Sequence, residues 1–319
     1  MSIKHWIMLF MLGSAFGSSF AFNAVLLEHL GPLTVSAGRV LIGAAGCWIW
    51  LKGSGRSAGI ARRDFARIAM LGIFQYAAPF AILPMAQQHV TSSAVGIANA
   101  MTPLAVVVVS QLWPGGEQTS ARKLLGVACG IVGIVLLTSG VSQTEGSDAR
   151  FVAFAILAPV CYAVALNVVR SIECKDPLVI TTWALSFGAI AIMPAALITE
   201  DLPRTVTFEM VGAFAALGFC LTTVCFVAYF HLLPFVGATN LSLVTFIAPL
   251  SALCIGGFML GEHIGVHHLA GAALILTGLA VLDGRVMRLL RNALSRAATV
   301  PRKTHTSHRE RELDAAIET

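Results

Sequence analysis

Charged residues are scarce in this chain. Only 12% of its 319 residues are Asp, Glu, Lys or Arg, about half the roughly 25% usual for a soluble globular protein. Water is therefore not its main solvent. Acids are missing where they would matter most: none lies in the middle of an apolar run, which removes the usual carboxylate proton carrier of a membrane interior. No Asp-rich motif occurs either, and Asp64, Glu173 and Asp176 are scattered along the sequence. An intramembrane enzyme working on headgroups would need acidic metal ligands or a base there, so no enzyme and no catalytic residue is expected. The seven cysteines show no CxxC spacing, and all but Cys174 fall inside apolar runs, as small buried hydrophobes rather than zinc ligands or a disulfide framework. His263, His267 and His268 have an i,i+4 spacing but sit at an outer surface without companions to orient them. Neither a metal nor a cofactor is expected.

Apolar residues make up 57% of the chain. They gather into ten runs of about 18 residues or more, the length that crosses a hydrocarbon core as a helix. The runs cover 6–27, 33–51, 67–86, 91–113, 123–140, 151–169, 177–198, 211–233, 238–260 and 266–283. Lys4 followed by an apolar stretch reaching Ser19 and Ala21 resembles a secretory signal. Nine further runs follow it, and it has a counterpart later in the chain, so it reads as a span.

Lys and Arg give the orientation. With Lys4 cytoplasmic, ten crossings place 18 basic residues on the cytoplasmic side and two, Arg150 and Arg204, on the other. Such a bias marks cytoplasmic loops. It also accounts for the net charge of +5, so no nucleic-acid partner is implied. The tail over 285–319 reads as disordered, with its Arg and Lys against anionic lipid headgroups.

The chain repeats itself at an offset of about 145 residues. Pro103, Glu117, Gly126 and Gly133 recur as Pro249, Glu262, Gly271 and Gly278, and Pro32 recurs as Pro177. Residues 1–143 and 144–284 each hold five spans, so the second unit enters the membrane from the opposite side. The expected fold is an all-α polytopic membrane protein of ten transmembrane helices in two inverted five-helix repeats, an arrangement found in secondary transporters.

Gly17-Ser18-Ser19-Phe20, then Gly31-Pro32 and Arg39, resemble the opening of the EamA-type family of the drug/metabolite transporter superfamily. The pattern Pro103, Glu117, Leu125-Gly126, repeated as Pro249, Glu262, Ala270-Gly271, is similar to that family as well. The resemblance implies a ten-helix bundle with a central cavity, exporting amino acids, related metabolites or drugs across the bacterial inner membrane by proton or substrate exchange. A passive channel and an importer of the same fold are the alternatives. The implied partners are the bilayer and a small-molecule substrate; protons as coupling ion and a homodimer stay open.

Two prolines point to the site. Pro103 has no N–H for the carbonyl of Asn99, and Pro249 none for that of Thr245. Two freed carbonyls at matching depth either face a substrate cavity or are kinks satisfied by neighbouring hydroxyls. Ser18, Ser19, Gln75, Tyr76, Tyr162, Thr222 and Thr223 supply further polarity at depth, for a cavity or for helix contacts. Arg39 is the one ionisable group unambiguously inside a span. It suits an anionic substrate group, or else snorkels to the outer end about 9 Å away or pairs with Glu28. The proposed substrate set is thus Ser19, Arg39, Gln75, Tyr76, Asn99, Tyr162, Thr222 and Thr245. Glu117 and Glu262 read as helix-dipole caps, and the glycines at 13, 17, 126, 130 and 133 as close helix contacts.

Overall fold

The computed structural model describes residues 2–90, 92–115, 120–138, 149–201, 203, 205–248, 250 and 266–283. Among these, every regular element is helical. Glu117, Pro249, Glu262 and His263 lie outside the described residues, as do the side chains of His267 and His268 and everything beyond 283. The contacts below belong to one compact unit, Met1–Leu282.

Among the described residues, six helices are long and apolar enough to cross a membrane: 3–27, 32–53, 62–87, 150–170, 177–199 and 208–236. They coincide with six of the ten apolar runs and overrun most of them by one to five residues. Capping explains the overrun. Ser2 accepts from His5 N at the start of α1 (Ile3–Leu27), and Pro32 opens α2 (Pro32–Gly53). The next span is α3 (Arg62–Gly72), a π-helical turn (Ile73–Ala77) and α4 (Ala78–Gln87). Pro79 has no N–H for the carbonyl four residues back, and here the chain widens, with Ala78 N bonding Ile73 O across five residues.

The run over 91–113 is not one helix. It divides at Met101 into α5 (Ser92–Ala100) and α6 (Thr102–Leu112), so Pro103 lies in the first turn of a new helix rather than inside a continuous one. After α7 (Ala121–Thr138) come α8 (Ala149–Ala155), α9 (Leu157–Arg170) and α10 (Pro177–Thr199). The sixth long span is α11 (Phe208–Phe214), a second π-helical stretch (Ala215–Val224) and α12 (Cys225–Val236). Here threonine hydroxyls take carbonyls five residues back: Thr222 Oγ1 donates to Leu217 O at 2.6 Å and Thr223 Oγ1 to Gly218 O at 3.3 Å. Then follow α13 (Ala238–Leu241), a helical stretch over 244–248 and α14 (Val266–Asp283).

Helices α2 and α10 run antiparallel along one another, fastened at both ends. Glu200, just past α10, accepts from Leu33 N at 2.9 Å and Thr34 N at 2.8 Å, capping the start of α2 from another helix. At the other end Arg56 Nη1 donates to both oxygens of Asp176, which itself caps α10 through Leu178 N. Between them Trp48 Nε1 donates to Ser186 Oγ at 3.0 Å.

Close glycine contacts occur in matched pairs. A Cβ on Gly43 would stand 2.7 Å from Thr222 Cγ2 and 3.4 Å from Gly218 O; one on Gly188 would stand 3.2 Å from Tyr76 Cβ and 3.0 Å from Gly72 O. Likewise a Cβ on Gly133 would come 2.9 Å from Gly271 O, and one on Gly278 2.7 Å from Gly126 O, so α7 and α14 cross antiparallel with backbones touching.

The acids that look scattered in sequence are gathered in space. Asp64 accepts from Glu173 N and Cys174 N, Arg67 Nη1 donates to Ser171 O, and Arg63 pairs with Glu173. These bonds stitch the start of α3 to the loop between α9 and α10, a structural role. The cysteines are also less uniform than expected, for Cys47 is buried but Cys220 is exposed.

Candidate functional site

A cavity opens where α1, α2, the first π turn, α4, α5, α6, α9, α12 and the 244–248 stretch converge. Its volume is about 80 Å³, room for more than one water or for part of a small polar ligand. Helix α1 contributes Phe16, Ser19, Phe20 and Asn23, a stripe at helical spacing, and α2 contributes Ser36 and Arg39. Gln75, Phe80, Leu83 and Pro84 come from the third span, Asn99 from α5, Thr102 from α6, Tyr162 from α9, and Phe226 with Tyr229 from α12. Val244, Thr245 and Ala248 complete the lining.

Arg39 is the centre of this arrangement. Only 6% of it is exposed, its Nε donates to Thr222 Oγ1 at 3.0 Å, and its Cζ lies 3.9 Å over the ring of Phe80. It neither snorkels outward nor pairs with Glu28, which is exposed. A hydroxyl and an aromatic face hold the guanidinium inward, a geometry in which cation–π attraction is strengthened by desolvation. No carboxylate faces it among the described residues.

Among the described residues, four buried polar atoms of the lining have no hydrogen-bond partner: Ser19 Oγ, Asn23 Oδ1, Gln75 Oε1 and Asn99 Oδ1. Buried polar groups are normally satisfied, so four such atoms around one cavity mark a place for water or a polar ligand. Each amide offers one acceptor and two donors whichever way it is turned.

Six of the eight expected residues, Ser19, Arg39, Gln75, Asn99, Tyr162 and Thr245, line the cavity. Tyr76 and Thr222 do not. Tyr76 is fully buried against Phe80 and Phe226 in an aromatic cluster. Thr222 stands behind Arg39, its hydroxyl spent on Nε and on Leu217 O. The carbonyl of Asn99 is not free either, because Thr102 Oγ1 donates to it at 2.5 Å. Its side-chain oxygen is the Asn99 atom left without a partner among the described residues. Asn23, Ser36 and Tyr229 escape notice in sequence, although Asn23 stands four residues after Ser19, Ser36 three before Arg39 and Tyr229 three after Phe226, each one helical turn away on the same face.

An all-helical chain with membrane-length helices around a polar-lined cavity has the build of a membrane carrier. The sequence pattern of the EamA-like transporter family matches twice, over residues 5–139 and 150–282. The chain belongs to that family, whose members are transporters and not enzymes, and is a multi-pass membrane protein of the drug/metabolite transporter superfamily. It is 20% identical over 283 residues to an uncharacterised transporter of Archaeoglobus fulgidus, covering 88% of this chain and 99% of that one. With the uncharacterised transporter YoaV of Bacillus subtilis it shares 24% identity, over 79% of this chain and 87% of the other. Protein PecM of Dickeya dadantii is 25% identical over 68% of this chain and 73% of its own length. A chain solved by crystallography has the same fold, with a TM-score of 0.70 at 18% identity over 90% of this chain and 97% of that one.

Proposed function

We propose that this protein is a secondary carrier that exports small metabolites bearing a carboxylate, amino acids and their relatives foremost, across the bacterial inner membrane. The carboxylate sits on the terminal nitrogens of Arg39, and the rest of the molecule meets the neutral oxygens and aromatic walls around it. The observation that carries this reading is a buried, always-charged guanidinium facing a cavity with four unpartnered polar atoms and, among the described residues, no acid. Arginine suits the role because its planar fork matches a carboxylate. The outward direction rests on the family resemblance. Protons, if they couple, enter through a group outside this cavity, since none of its lining residues is Asp, Glu or His.

The ten spans form two inverted five-helix repeats, with both termini cytoplasmic and the cavity between them opening to each side in turn. Support comes from the antiparallel run of Pro32–Gly53 against Pro177–Thr199 and from the glycine pairs above. The π-helical segments Ile73–Ala77 and Ala215–Val224, which overlap at the repeat offset, add to it.

Thermal unfolding of the detergent-solubilised protein against an amino-acid and metabolite panel tests the substrate class, because a ligand of the folded state raises its stability by mass action. A panel in which no carboxylate-bearing compound shifts the transition removes the proposal. In proteoliposomes, Arg39→Gln abolishes accumulation of the stabilising compound while folded protein remains. Single cysteines at 117 and 262 label from opposite sides of the membrane, and labelling from one side contradicts the inverted repeat.

A further inference from the structure

The cavity has an electrostatic problem of its own. Arg39 is charged at every physiological pH and nine-tenths buried. Its Nε is engaged by Thr222 and one face of the guanidinium is covered by Phe80. Among the described residues its terminal nitrogens make no hydrogen bond and no ion pair. The other described residues lining the cavity are neutral: hydroxyls, amides, aromatic rings and aliphatic side chains. One hydroxyl and one ring offset only part of the cost of removing a cation from water, and a buried ion with no counter-ion is the most costly arrangement a protein interior offers.

We propose that between substrate molecules Arg39 holds a small monovalent inorganic anion of the chloride class. The carrier therefore works by exchanging one anion for another. The cavity suits such an ion on three counts. Its space of about 80 Å³ exceeds what a halide stripped of its water needs. Asn23, Gln75 and Asn99 line the same cavity as the guanidinium, and each side-chain amide carries two N–H donors. No carboxylate among the lining residues repels an anion.

The idea rests on the carboxylate reading in one respect, that substrate and inorganic anion compete for the same two nitrogens. Whichever is bound, the charge of Arg39 is matched. A cavity emptied of both would have to cross between its two states with a bare cation inside. Net movement without a counter-anion is thus slow, and exchange is fast.

The test uses the full-length protein at constant ionic strength, with a bulky buffer sulfonate replaced stepwise by chloride, bromide or nitrate. The wild type gains thermal stability as the logarithm of halide concentration, and Arg39→Gln gains none. No gain in the wild type, or an equal gain in the variant, overturns the proposal. Should Arg39→Gln fail to fold, crystals of the wild type grown in bromide decide the matter: an anomalous peak within hydrogen-bond reach of the Arg39 terminal nitrogens supports it, and its absence there overturns it. An amino-acid panel run beside the halides separates the two readings. Response to halide without response to any carboxylate leaves the anion site standing and removes the substrate class. Response to carboxylates alone does the reverse.

Discussion

Thr222→Val and Thr222→Ser separate the two halves of a single side chain. The hydroxyl accepts from Arg39 Nε at 3.0 Å and donates to Leu217 O at 2.6 Å, while the methyl packs toward Gly43. Valine keeps the branch and loses the hydroxyl; serine does the opposite. Loss of the hydroxyl leaves the charged Arg39 donor without its partner and removes one of the bonds to Leu217 O, which costs about 1.5–3 kcal/mol of stability. Loss of the methyl costs about 1 kcal/mol. Unfolding measurements alone would separate these values poorly, so ligand affinity is the sharper readout. A guanidinium released from its anchor must be ordered again when an anion binds, at about 0.5–1.5 kcal/mol, which weakens affinity about two- to twelvefold. Titration of chloride and of the stabilising amino acid should therefore show that loss in Thr222→Val and near wild-type affinity in Thr222→Ser. Equal affinities in the two variants, or weakening in the serine variant alone, would refute the positioning role assigned to this hydroxyl.

Glu200→Gln keeps one acceptor for the two N–H groups at the start of α2 and removes the negative charge there, so the melting transition should fall by the equivalent of about 0.5–2 kcal/mol, with affinity for substrate unchanged. Pro103→Ala gives the Asn99 carbonyl a backbone donor in competition with Thr102 Oγ1; the bend at Met101 straightens and initial transport rates drop severalfold with folded protein retained, whereas a wild-type rate would remove that bend from the mechanism. Because the cavity lining holds no Asp, Glu, His, Lys or Cys and the guanidinium stays protonated, binding should be level between about pH 6 and pH 8 in equilibrium titrations. A tenfold slope per pH unit would reveal a titrating group beyond this lining.

Spans were the most legible part of the sequence, because a continuous apolar run leaves a helix as the only way to satisfy the backbone in lipid. The break at Met101 was less so: Pro103 flagged a defect, but only the structure shows two helices meeting there and Thr102 closing the Asn99 carbonyl. Arg39 stood out as the lone ionisable group of a span, yet its direction depended on partners over 40 and 183 positions away, Phe80 and Thr222. Nothing local encodes such distant company. The same holds for Asp64, whose backbone partners lie beyond position 170.

The π-helical turn at Ile73–Ala77 fixes how the third span tolerates changes in its length. Such a turn accommodates one residue more than an α-helix would, so the span carries a built-in insertion. Deleting a single residue there lets the helix close to α and leaves everything after it close to its present orientation, where the same deletion in a plain α-helix would turn everything after it by about 100°. Phe80 would stay over Arg39 and Leu83 on the cavity wall. The turn thus makes this span forgiving of the loss of one residue, so a one-residue deletion here would change stability locally while the cavity wall kept its register.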